Sequence, residues 1–285
     1  MYNPQYTRQF YDAYGEREWT RLERSAYFRL EAITHTDFIR RYVKPGDKVL
    51  DAGSGPGRFS ILLAKIGAMV TVLDISPEQL SLARQKIAEA KVLDHIARFL
   101  EADIVDLSRL PSGYFDAVIC FGGALSYVCE KNQQAADELI RVTRPGGTII
   151  VSVMSRLGAA LGVVQHPDLR YLREPSNKNI DLPNGSSFRD MVESGDLAGF
   201  PSSAGITHAP MHLYISQELE GLFRGCKVLQ AAGCCVTLSE HIKVPEELTE
   251  EPVWANLVEL ERKLRTDPGL INTGSHIIMA VQKYL

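Results

Sequence analysis

From residue 46 to 153 short apolar runs alternate with helix-length amphipathic segments. That alternation restricts the chain to repeated βα units around a mostly parallel sheet. Strands are predicted at 48–53 (KVLDAG), 68–75, 97–103, 115–121 and 147–154, with helices between them. The helix after the second strand is the best marked. Ser76 caps it, Pro77 suits its first turn, and Gln79 completes an S-x-x-Q capping box before Leu80, Ala83 and Ile87 repeat on one face. TRPGG (143–147) reads as a turn that ends one helix and launches a strand.

The first strand runs into DAGSGPGR, residues 51–58. In a parallel sheet, ligands gather at the carboxyl ends of strands, where helix N-termini offer free backbone N–H groups. Gly53 and Gly55 permit close backbone approach there, and Gly57 lets the following helix pack tightly. A dinucleotide site calls for G-x-G-x-x-G, whereas here the third glycine comes one position early. Asp51 would repel a pyrophosphate and suits a ligand that carries positive charge. It is equally suited to holding the N–H groups of its own loop. Asp74 closes the second strand, where a carboxylate can accept from both hydroxyls of a ribose.

Composition narrows the function classes. The 285 residues are about 45% apolar and 23% charged, with a formal net charge of -4 and no block of Lys or Arg. A large nucleic-acid footprint needs clustered basic residues, so a small-molecule substrate is expected. No segment reaches the ~18 apolar residues of a membrane span. The start of the chain lacks the apolar core of a secretory signal, which predicts a cytoplasmic protein. Five cysteines without C-x-x-C spacing indicate neither disulfides nor zinc. His208 and His212 are four apart, but Pro210 between them argues against a helix and hence against a metal pair.

The D-x-G-x-G-x-G pattern of residues 51–57 resembles motif I of the class I S-adenosylmethionine-dependent methyltransferases. Asp74, the EADI stretch around Asp103, FDAVICFGGALSY and LIRVTRPGGTIIVSV follow in the family's order, and SHIIMAVQK resembles its final strand. The resemblance implies a Rossmann-like, doubly wound α/β fold of seven strands, mostly parallel with an antiparallel last strand. It implies S-adenosylmethionine as cofactor. By it Asp51, Gly53, Gly55 and Gly57 form the cofactor loop, Asp74 and Ile75 meet the ribose, and Ala102, Asp103 and Ile104 meet the adenine. Cys120 and Phe121 end the fourth strand against the cofactor, and Tyr11 closes over it from the N-terminal arm. The family's amino-methyltransferases carry N/D-P-P-Y/F after the fourth strand. Here the chain reads Cys120-Phe121-Gly122-Gly123, which argues against an exocyclic or amide nitrogen target.

Four regions are expected: a helical N-terminal arm (1–45) over the site, a cofactor-binding core (46–155), an inserted lid or acceptor region (156–207) and a completion of the sheet with a C-terminal helix (208–285). His212 and Tyr214 are the candidate catalytic pair, placed by strand alternation to face the methyl group, with ordinary packing as the competing account. Tyr127 has a similar standing, and His166 reads as a loop histidine without a role. The expected activity is methyl transfer to a small-molecule acceptor by a monomer or homodimer. An NAD-dependent oxidoreductase and a non-catalytic S-adenosylmethionine-binding protein are the alternatives.

Overall fold

The structure, a computed structural model, describes residues 2–165, 188–197 and 208–285. Its strands are β1 (Lys48–Ala52), β2 (Met69–Asp74), β3 (Ile96–Glu101), β4 (Phe115–Cys120), β5 (Thr143–Met154), β6 (Cys226–Cys234) and β7 (His276–Lys283). They form one sheet in the order β3-β2-β1-β4-β5-β7-β6. Neighbours from β3 to β5 pair in parallel, and β7 runs antiparallel to both β5 and β6. This is the expected seven-stranded, mostly parallel architecture.

The helices are α1 (Pro4–Tyr14), α2 (Arg17–Arg21), α3 (Ala26–Tyr42), α4 (Arg58–Ile66), α5 (Pro77–Glu89), α6 (Ala124–Tyr127), α7 (Asn132–Val142), α8 (Arg156–Gln165), α9 (Phe188–Ser194), α10 (Ser216–Leu222) and α11 (Val253–Leu264). They cover both faces of the sheet. On β1, Val49 joins Phe38, Ile39 and Leu63 on one face, while Leu50 joins Leu139 on the other. A strand covered on both sides therefore reads as a continuous apolar run rather than an alternation.

Several local expectations are corrected. The TRPGG stretch lies inside β5: Thr143 pairs with Phe115 and Thr148 with Ala117, so a register shift absorbs the extra residues, with Gly146 at φ +72°. No helix joins β3 to β4, because residues 102–114 contain Pro111 and Gly113 and turn repeatedly. In APMHLYIS only Met211–His212 is extended, paired with Asp196–Leu197. The capping box on α5 is half made. Ser76 accepts from Gln79 N at 3.0 Å, but the Gln79 amide donates to the Tyr11 and Gly15 carbonyls at 2.9 and 3.2 Å. Ser76 Oγ donates to Asp12 at 2.5 Å. The residues that start α5 thereby fasten α1 across the carboxyl end of the sheet.

Of the expected lid, α8, α9 and the short ribbon are described. His166 lies outside the described residues.

Candidate functional site

The glycine loop is held by the neighbouring strand. Gly53 N and Ser54 N both donate to the Leu73 carbonyl, at 2.8 and 2.9 Å. Asp74 accepts from Gly55 N at 2.8 Å and from Ser76 N at 2.9 Å, so this carboxylate ties the loop to the start of α5. Asp51 does not hold the loop amides; it accepts from Ser60 Oγ at 2.5 Å. Gly53 has φ +79°, and a Cβ there would stand 2.6 Å from the Ala124 Cβ. Gly53→Ala is therefore expected to cost about 1–3 kcal/mol in denaturant titration. A loss under about 0.5 kcal/mol would mean that α6 yields without strain.

A narrow cleft opens above the loop. Gly53, Gly55, Asp51, Asp74, Ile75, Ala102, Asp103, Ile104, Phe121 and Tyr11 all line it, so the fold gathers ten of the twelve cofactor candidates. Two are not on it. Gly57 faces Ala83 and Ile87, whose atoms a Cβ would meet at 3.2 Å, and serves the packing of α4 on α5. Cys120 is fully buried in the core beneath the cleft, because its side chain takes the face of β4 turned to α7.

The electrostatics of the cleft are acidic. Asp51 is only 1% exposed; burial, with the Asp74 charge added, pushes its carboxyl up to about 7. Burial likewise raises Asp74 to about 6, against the hydrogen bonds it accepts. Among the described residues neither makes an ion pair with Lys or Arg. Asp103 lies two residues beyond β3 and accepts from Val105 N at 3.0 Å and from the Tyr2 hydroxyl. These acceptors, spread from Asp51 through Asp74 to Asp103, suit a ligand that presents an ammonium or sulfonium charge, a pair of hydroxyls and an amino group. The donor set therefore fits S-adenosylmethionine.

A second cavity of about 1020 Å³ adjoins the cleft. Tyr11, Glu18, Arg21, Gly122 and Tyr127 line both spaces and form their common wall. Within that wall Arg21 donates to Glu18 at 3.0–3.1 Å, and it donates to Glu31, which borders the larger cavity, at 3.1 Å. Glu31 is 1% exposed, and its second oxygen lies 3.5 Å from His276 Nδ1. Burial pushes Glu31 up, and the charges of His276 and Arg21 together pull it below the usual carboxylate range. Burial also depresses His276, which is then neutral near pH 7, so Arg21 is the partner that keeps Glu31 ionised. His35, pushed down to about 4 by burial, bonds Ser152 Oγ at 2.9 Å, and that hydroxyl accepts from Gly122 N at 3.2 Å.

The expected catalytic pair lies elsewhere. His212 bonds Asp196 at 2.7 Å on the short ribbon. Tyr214, 1% exposed, donates to the Leu125 carbonyl at 3.3 Å within the core. Neither lines either cavity. His208 does line the larger one, as does Tyr127, and the two are 3.3 Å apart. Sequence reasoning missed Glu18, Arg21 and Glu31. A signal for Glu31 was present, because Glu31, Thr34 and His35 occupy i, i+3 and i+4 of the α3 stripe that continues to Phe38, where apolar residues are the rule.

A family described as a methyltransferase domain matches residues 50–151. A malonyl-acyl-carrier-protein O-methyltransferase from Serratia marcescens is 39% identical over 111 residues, 39% of this chain and 40% of that protein. A ubiquinone biosynthesis O-methyltransferase from Xanthomonas axonopodis pv. citri is 30% identical over 177 residues, 60% of this chain and 67% of that one. The chain thus spans between two fifths and two thirds of the length of these relatives. Among solved structures, the cyclase SpnF superposes with a TM-score of 0.61 at 16% identity, covering 100% of this chain and 97% of that one, a likeness of fold alone. With the ordered motifs and the acidic cleft, these matches establish that the chain belongs to the class I S-adenosylmethionine-dependent methyltransferase family.

Proposed function

We propose that the protein transfers a methyl group from S-adenosylmethionine to a small-molecule acceptor. The observation that carries this reading is the common wall between the acidic cleft and the larger cavity, since a simple binder of the cofactor needs only the cleft. The fold does not choose the reaction, because a cyclase shares it. The nicotinamide alternative has no support in the family match.

S-adenosylmethionine supplies a methyl group already activated by its positively charged sulfur. The chain's own task is then to bind, align and exclude water. In this reading Asp74 accepts from the ribose hydroxyls, Asp103 from the adenine amino group with Ala102 and Ile104 beside the ring, and the Gly53–Gly55 backbone lies against the methionine portion with Asp51 beneath. Tyr11 and Tyr127 direct the methyl toward the larger cavity, where the acceptor sits. The acceptor is a small molecule rather than a nucleic acid, and the acting species is a cytoplasmic monomer or homodimer, the assembly being checked by light scattering.

Calorimetric titration with S-adenosylhomocysteine, with NADH as the comparison ligand, tests the reading. Micromolar binding of the former alone is expected, and binding of NADH alone would overturn it. Affinity should depend on pH. Asp51 and Asp74 must be ionised to receive cations and hydroxyls, and burial has raised both. Binding should therefore weaken as pH falls through about 7 and then about 6, approaching a tenfold loss per unit for each group protonated. An affinity flat from pH 5 to 8 would show that neither carboxyl is linked to binding.

A further inference from the structure

The Tyr127 hydroxyl lies 3.3 Å from His208 Nε2, and the two rings are nearly parallel, 27° apart. His208 Nδ1 lies 3.1 Å from the Ala209 carbonyl. That carbonyl can only accept, so Nδ1 carries the proton and Nε2 presents a lone pair to Tyr127. The rings of Tyr11 and Tyr127 meet edge to face at 5.6 Å. Phe10 also packs on His208, at 4.5 Å between ring centres. Tyr127 borders both cavities and His208 the larger one alone.

We propose that Tyr127 and His208 form a proton relay for a hydroxyl-bearing acceptor, resting on the methyl-transfer reading above. As the acceptor oxygen bonds to the methyl carbon and the carbon–sulfur bond breaks, the acceptor's proton passes to Tyr127 Oη. The proton of Tyr127 passes in the same step to His208 Nε2. The products are a methyl ether, a neutral thioether and an imidazolium, which releases its proton to solvent. Charge balances, because the positive charge leaves sulfur and appears on the imidazole.

Burial pushes the Tyr127 phenol up to about 12, so it remains protonated and acts as a relay rather than as an anion. Burial also holds His208 below its ordinary value, which keeps the ring neutral at neutral pH. Among the described residues, the ionisable groups acting on Tyr127 include Tyr11 and Tyr14 of α1 and Glu18 and Arg21 of α2. Glu18 and Arg21 oppose each other in sign and bond each other, so neither charge dominates.

The test compares two probe acceptors, 2-naphthol and para-nitrophenol. The first keeps its proton near neutral pH, as a phenol with pKa about 10 does; the second is largely ionised in mild alkali and needs no base. In mildly alkaline buffer, Tyr127→Phe and His208→Gln are expected to slow methylation of 2-naphthol at least about tenfold more than that of para-nitrophenol. The acidic limb of the 2-naphthol rate profile should vanish in His208→Gln, while that variant still binds S-adenosylhomocysteine as the parent does. Equal losses on both phenols would reduce the pair to packing and overturn the relay. Cofactor binding without methylation of either phenol would also overturn it and leave the methyl-transfer reading standing. Failure to bind S-adenosylhomocysteine would overturn both.

Discussion

Replacing Arg21 with alanine is expected to destabilise the protein by about 3–5 kcal/mol, because it strands Glu31 in the interior. The Arg21 side chain is 18% exposed, its guanidinium reaches Glu18 and Glu31 together, and Glu31 is 1% exposed. An exposed pair would contribute only ~0–1 kcal/mol, since water solvates each partner when the other is lost. Here Glu31, although it borders the larger cavity, is 1% exposed, and His276, depressed by its own burial, offers no charge near neutral pH. Denaturant titration gives the measurement: the midpoint should fall without a change of slope. Adding Glu31→Gln to Arg21→Ala should recover part of the loss, because no uncompensated charge then remains. A loss below about 1 kcal/mol for the single variant would show that the network is solvated and that α2 is held by its apolar contacts instead.

Asp74→Ala is expected to weaken S-adenosylhomocysteine binding between about tenfold and a hundredfold, or ~1.4–2.8 kcal/mol. Two losses combine. The carboxylate would no longer receive the ribose hydroxyls, and the Gly55 and Ser76 amides that it now accepts at 2.8 and 2.9 Å would lose their partner, loosening the loop. Stability should change less than affinity. A carboxyl whose folded value is raised to about 6 stabilises the fold only where it is protonated, and that contribution fades as pH rises through this value. At neutral pH the alanine variant is therefore relieved of a buried charge while it leaves two amides unsatisfied, and the terms oppose each other. Asp74→Asn keeps one accepting oxygen and should fall between. Unchanged affinity in Asp74→Ala would remove the residue from the cofactor site.

Much of the lining of the cleft was legible in the sequence, because its information is local. Each acidic residue stands at or just beyond the end of a strand, and strand ends are marked by apolar runs and turn residues. Asp74 ends β2, and Asp103 lies two residues past β3, an offset that the reading placed inside the strand. The glycines at 53 and 55 carry their backbone geometry in their identity. Gly57 was legible as a packing residue, and it faces Ala83 and Ile87 rather than the cleft. The capping of α5 was equally local, whereas the second use of Gln79 was not, since its partners lie on α1.

The alternation of strands and helices, the glycine turn and the carboxylates around it were fixed by the sequence alone, because each depends on spacings of a few residues that hydrogen-bonding geometry converts directly into structure. The lining of the larger cavity was decided by the tertiary structure. Which residue of 208–214 faces the cavity depends on the register of a two-residue ribbon, where a shift of one position exchanges the faces, so alternation by itself named His212 and Tyr214 while packing selected His208. Arg21 meets Glu31 only once α2 and α3 fold across one another, and Tyr127 meets His208 across 81 residues of chain. Such pairings are set by the docking of the arm and the ribbon on the finished sheet, and no short spacing encodes them.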